Sequence, residues 1–137
     1  MSIPGNDAEQ RLMSAARQAA TATYSPYSQF PVGAALLGAQ GQVILGCNVE
    51  NISFGLTNCA ERSALFAAIS QGLPPRSFRA MAIYAPKVEL ISPCGACRQV
   101  LLELMAPDAL IICQGSDPDA TRRWTLDQLL PGAFISL

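Results

Sequence analysis

The chain has 137 residues, of which 50% are hydrophobic and only 14% charged, and its formal net charge is −1. A chain of this length is expected to fold as one domain, residues 1–137, burying about two-thirds of its unfolded surface, and this composition excludes intrinsic disorder. One lysine and scattered arginines, apart from the pair Arg122-Arg123, leave no basic stripe, so a nucleic acid polymer is not expected as a partner.

No stretch reaches the length of a transmembrane helix. The segment "MSIPGNDAEQ" lacks the basic and apolar regions of a secretory leader. A cytoplasmic protein with no membrane partner is therefore expected. In that compartment five cysteines are better candidates for metal ligands, catalytic groups or core residues than for disulfides. The high apolar fraction also suggests a buried subunit interface.

In chain order, Asp7 with Gln10 reads as a capping box opening an alanine-rich helix that runs to about Tyr24. "YSPYSQFPVG" interrupts it with two prolines. "VGAALLGAQGQVILG" reads as two strands around a glycine-containing turn. A polar, Asn-rich loop spans Cys47 to Asn58. "CAERSALFAAISQG" has helical apolar spacing and ends at Gly72, a C-terminal cap. "FRAMAIYA" is a continuous apolar run short enough for a buried strand. "SPCGACRQVLLELM" reads as a helix begun by Ser-Pro and finished before Pro107. "ALIICQ" is a strand, and "TLDQLLPGAF" a short helix stopped by Pro131. Strands and helices alternating in this order argue for an α/β sandwich on one mixed sheet.

The cysteines carry the chemistry. Cys94 and Cys97 are three apart at a predicted helix start, so they share a face. A helix N-terminus favours thiolates through its dipole and free N–H groups. Cys59 stands at the start of the other central helix. Three thiolates converging from two helix starts suit zinc with one position open for water. Only one CxxC is present, so the usual four-ligand structural pattern is missing. Cys47 as a fourth ligand would make a closed, structural zinc module, whereas Cys113 in a strand reads as a small buried apolar residue.

An open zinc position needs a proton acceptor close by, and the chain contains no histidine. Glu61, two residues after Cys59, can move protons without binding the metal. Three thiolates on Zn²⁺ also leave a net negative charge. A cation bonded to a ligand sulfur would offset it, and Arg62 is a better candidate than Arg98. "CAE" followed by "PCGAC" matches the pattern of zinc-dependent deaminases.

Five blocks, "YSPYSQFPVGAALL", "GCNVEN", "CAERSALFAAIS", "SPCGACRQVLLEL" and "LLPGAF", resemble in order those of the small homotetrameric cytidine deaminases, from about residue 10 onward. The resemblance implies a three-layer α/β sandwich, a mixed five-stranded sheet with helices on both faces. It implies one zinc per subunit on Cys59, Cys94 and Cys97, with Glu61 catalytic, acting on a small nucleoside. Asn48 and Glu50 would bind the ribose, Phe30 would stack, and Ala60 would present its backbone to the cytosine ring. Phe134 would reach a neighbouring subunit's site in a homotetramer whose sites neighbours complete. The implied reaction is hydrolytic deamination of cytidine and 2′-deoxycytidine, as in pyrimidine salvage. A deaminase of a modified cytosine nucleoside, such as the blasticidin S type, shares the cysteine pattern, and "GCNVEN" argues against it. The chain stops three residues after Phe134, which bears on the contact from the neighbour.

Overall fold

The computed structural model describes residues 6–136. Helix α1 spans Asn6–Ala20 and buries Leu12, Met13, Ala16, Ala19 and Ala20, one face of a 3.6-residue repeat. Asp7 lies inside the first turn, so it cannot be the cap of the expected capping box. Its charge instead complements the positive end of the helix. The helix also ends four residues before Tyr24. The N–H groups of Thr21 and Ala22 turn back to the Gln18 and Ala19 carbonyls, a tightening that closes helices. Tyr24 pairs in a bridge with Val49 instead.

Strands β1 (Gly33–Leu37) and β2 (Val43–Cys47) form the expected hairpin. Its turn is closed by Gly38 N–H to the Gln42 carbonyl at 2.8 Å, with Gly41 at φ 84°. After a 3-10 turn at Phe54–Leu56 comes α2, Ala60–Ser70, followed by Gly72 at φ 88°. Then come β3 (Phe78–Tyr84), α3 (Gly95–Leu104) and β4 (Met105–Gln114). Cys94 is the N-cap of α3, so Pro93 precedes the helix and does not open it. β5 (Arg122–Thr125) leads directly into α4 (Leu126–Leu129), which Thr125 and Gln128 cap reciprocally. The chain-order reading misses β5. Its four residues, "RRWT", are exposed or half-buried and carry no apolar run.

The strand order is β2-β1-β3-β4-β5, with β3 and β4 parallel and every other pair antiparallel. β2, β3 and β4 therefore point the same way. α2 links β2 to β3, and α3 links β3 to β4. Both are crossovers between parallel strands that advance in the same direction, so one handedness sets both helices on one face. Leu36, Met81, Ile83 and Ile111 bury that face against α2, α3 and α4. The alternate residues Ala35, Ala80, Ala82, Leu110 and Ile112 bury the other against α1. This is the expected three-layer sandwich with a mixed five-stranded sheet. The period of two along each strand produces its two cores.

Two glycines set how closely the helices sit. A Cβ on Gly33 would fall 2.0 Å from the Ala16 carbonyl oxygen of α1. One on Gly46 would fall 2.4 Å from Ala64 N and 2.5 Å from the Ala60 oxygen, so the first turn of α2 rests on bare β2 backbone. Gly46→Ala should push that turn off the sheet and lower unfolding stability by about 1–3 kcal/mol. A denaturant melt with an unchanged midpoint would show that the turn is not seated this tightly.

Candidate active site

Because α2 and α3 both begin at the C-terminal ends of parallel strands on the same face, their first turns lie side by side. Cys59 is the N-cap of α2 and Cys94 the N-cap of α3, while Cys97 is buried one turn further along. The three sulfurs lie within 4.8 Å of one another. Tetrahedral zinc with Zn–S bonds of about 2.3 Å wants sulfurs about 3.8 Å apart, so the cluster needs only a small contraction. Among the described residues this is the one group of metal-ligating side chains found together. Cys47 is not part of it, which leaves the closed four-thiolate module without its fourth ligand. Cys113 is fully buried in the core beneath α2 and α3, as expected of a small apolar residue.

The surroundings favour one thiolate, at Cys59, while the bond to Cys59 and then burial push the Cys97 thiol up. The Cys97 thiol and then Arg62 hydrogen-bond to Cys59 and hold its pKa well below the usual thiol value. Arg62 Nη2 donates to Cys59 Sγ at 3.2 Å, and its Nε is buried with no partner. Cys97 N–H donates to Cys94 Sγ at 3.5 Å. Arg98 is elsewhere: Nε donates to the Pro93 carbonyl at 2.7 Å and Nη1 to the Leu129 carbonyl at 2.9 Å. It ties the segment before α3 to the end of α4 and does not touch a ligand sulfur.

Glu61, in the first turn of α2, is only 5% exposed. Burial pushes its carboxyl up to about 7, and the charge on Cys59 adds to this. It lines a cavity of about 380 Å³ together with Cys59, Ala60 and Cys94, and with Phe30, Asn48 and Glu50 from the loops. The cavity thus gathers six of the sequence-predicted residues around Glu61. Arg62 lies behind it on the sulfur. Phe134 is not in the cavity. It is 67% exposed, and its carbonyl accepts from Gln99 Nε2 at 3.0 Å.

Asn48 and Glu50 already serve the loop that carries Phe30. Asn48 Nδ2 donates to the Phe30 carbonyl at 2.8 Å, and its Oδ1 accepts from Val32 N–H at 2.9 Å and from the Thr23 hydroxyl at 2.5 Å. Glu50 Oε1 accepts from the N–H groups of Tyr27 and Ser28 at 3.0 and 3.1 Å, and Oε2 from the Ser28 hydroxyl. The Ser28 hydroxyl bond, foremost among these, holds the Glu50 carboxyl below its ordinary pKa. An amide has two N–H donors and a carboxylate about four acceptor positions. What remains free is one N–H on Asn48 and one acceptor position on Glu50.

Sequence reading alone does not find Ser28, Val32, Thr57, Ile91 and Ser92 in the lining. Ser28 lies in "YSPYSQFPVG", a stretch whose legible signal is two prolines that interrupt the helix. Among the described residues no helix is long and apolar enough to cross a membrane.

Comparison with known proteins points the same way. A sequence model of the "cytidine and deoxycytidylate deaminase zinc-binding region" matches residues 6–113. A cytidine deaminase of Halalkalibacterium halodurans is 49% identical over 127 residues, 93% of this chain and 94% of that protein. One of Sporosarcina psychrophila is 44% identical over 132 residues, 91% of this chain and 90% of that protein. The crystal structure of cytidine deaminase from Burkholderia pseudomallei superposes with a TM-score of 0.88 at 46% identity, covering 91% of this chain and 98% of that one. That from Mycobacterium tuberculosis gives 0.79 at 43% identity, covering 93% and 98%.

The three sulfurs also generate a test. Purified protein should carry one zinc per chain, and X-ray absorption should show three sulfurs and one lighter atom around it. Cys97→Ser should lose the metal, whereas Cys47→Ser should keep it. Four sulfurs around zinc, or metal loss in Cys47→Ser, would contradict this geometry.

Proposed function

The chain belongs to the cytidine and deoxycytidylate deaminase family, and from that premise we propose that it hydrolytically deaminates cytidine and 2′-deoxycytidine to the uridine products and ammonia. The observation that carries this reading is a buried carboxyl, Glu61, lining one cavity with two of three clustered thiols. Cys59, Cys94 and Cys97 would hold the zinc. When bound, the ion supplies the Lewis acidity that brings water's pKa toward neutrality.

The chain's own residues do the rest. Glu61 takes a proton from the attacking water and gives it to ring N3. As the water oxygen bonds to C4, Glu61 takes the second proton from that oxygen and delivers it to the amino group. The C4–N bond breaks, the C4 carbonyl forms and ammonia departs. A carboxyl raised to about 7 suits both directions of transfer near neutral pH. Arg62 draws charge from Cys59 Sγ through its 3.2 Å bond, which offsets the third thiolate. Phe30 stacks on the substrate, and Ala60 offers its backbone to the base. The free N–H of Asn48 and the free acceptor position of Glu50 fit a single sugar hydroxyl, which accepts from one and donates to the other.

We read the chain as one cytoplasmic catalytic domain that works as a homotetramer. Phe134 lies exposed and outside its own cavity, and Phe66, Ile69, Ile52, Phe54 and Leu56 are exposed as well. That is more apolar surface than a lone copy needs. It supports assembly in which Phe134 completes a neighbouring subunit's site.

An ultraviolet assay for cytidine loss, with and without a chelator, tests reaction and metal together. Cytidine should be consumed far faster than blasticidin S. Glu61→Gln should keep zinc and cytidine binding while turnover falls at least about 10²-fold; near wild-type turnover would sink the proton-shuttle role. Arg62→Gln should keep the metal and lower kcat by about tenfold or more. An unchanged kcat would mean that the sulfur bond does not tune the reaction.

A further inference from the structure

The bonds around Phe30 reach further than substrate contact. Its backbone is held at both ends by side chains. Phe30 N–H donates to the Ser28 hydroxyl oxygen at 3.0 Å, and its carbonyl accepts from Asn48 Nδ2 at 2.8 Å. The residue between Ser28 and Phe30, Gln29, has φ 54°, in the left-handed region that non-glycine residues disfavour. Such a conformation persists only where neighbours fix it. Here Gln29 N–H is tied to the Ser25 carbonyl at 2.9 Å, and the Ser28 hydroxyl spans the turn.

Ser28 is the only one of these groups that also grips Glu50. Its hydroxyl donates to Oε2 while its N–H donates to Oε1, so one residue fixes both carboxylate oxygens. It thereby orients the single acceptor position left to the ligand. The same hydroxyl oxygen then receives Phe30 N–H. A continuous path runs from the carboxylate, through one hydroxyl, to the backbone of the aromatic residue.

We propose that Ser28 is a positioning residue that couples sugar recognition at Glu50 to the placement of Phe30, so that the sugar hydroxyl is read as catalytic efficiency and not as affinity at an isolated contact. The proposal deepens the cytidine deaminase reading and rests on it. Without the Ser28 hydroxyl, Glu50 loses its only bond to Oε2 and Phe30 N–H loses its acceptor. Substrates that use the Glu50 contact should suffer, and those that cannot use it should be indifferent.

The test measures kcat and KM on cytidine and on its 2′-, 3′- and 5′-deoxy analogues, for the wild type, Ser28→Ala and Ser28→Thr. The wild type should disfavour one analogue, the one lacking the hydroxyl held by Asn48 and Glu50, by at least about tenfold in kcat/KM. Ser28→Ala should lower kcat/KM for cytidine by about tenfold, more through kcat than KM, and change that analogue by no more than about twofold. Ser28→Thr, which keeps the hydroxyl, should restore the discrimination. If Ser28→Ala does not fold, Ser28→Gly removes the same hydroxyl and replaces it in the comparison.

A merely structural role would lower every substrate by one factor and leave the ratio intact, which would overturn the coupling. Absence of discrimination in the wild type would overturn it too. A wild type inactive on cytidine at full zinc occupancy would instead defeat the functional reading, a result that needs no Ser28 variant to recognise.

Discussion

The constraint on which the site depends is like charge held close. Two unit charges about 4 Å apart repel by about 4 kcal/mol at an effective dielectric near 20, and here three thiols lie within 4.8 Å of one another. Two helix starts help, but each is worth only about 0.3–1 kcal/mol to a nearby anion. They cannot hold three thiolates alone. The remainder falls to a divalent cation and to Arg62, whose guanidinium lies on Cys59 Sγ. The sheet order is what makes this arrangement possible. Three strands pointing the same way, crossed twice on one face, bring the beginnings of α2 and α3 together. Gly46 lets the first of them rest on bare backbone.

The lack of histidine gives Glu61 its significance. A carboxyl in water titrates near 4.3 and is a poor proton donor at neutral pH. Burial at the base of the cavity raises Glu61 to about 7, the range that an imidazole would otherwise occupy. The loop carboxylate Glu50 is treated in the opposite way. Three hydrogen bonds from residues 27 and 28 stabilise its charged form. Two carboxylates of one cavity are thus driven apart by their surroundings, one toward proton exchange and the other toward fixed charge.

What the sequence reveals follows the distance over which each feature is determined. Cys59 with Glu61, and Cys94 with Cys97, are legible because each pair is set within one helical turn, and because helix starts are themselves readable. The two buried faces were legible from the apolar runs. β5 was not, because an edge strand half in water needs no apolar pattern. Nor was the end of α1, where Thr21 and Ala22 turn back and Tyr24 is claimed by Val49. Arg62 follows the N-cap Cys59 by three residues and Arg98 follows the N-cap Cys94 by four. Only the fold decides that one reaches sulfur and the other reaches the carbonyls of Pro93 and Leu129. The grip of Ser28 on Glu50 crosses 22 positions and leaves no local trace.

The cysteines at the two helix starts have one more consequence. Helices are ordinarily closed at that end by the oxygen of a serine, threonine or aspartate. Cys59 makes no such bond, and Cys94 makes only a long one. Two neighbouring helices therefore lack ordinary closure at the same point in space, and a shared ion is what both sulfurs can engage. The ion then acts as a clasp for the architecture as well as a reagent. Its departure would loosen two helices in a single event, so metal supply and the integrity of the fold are governed by one equilibrium.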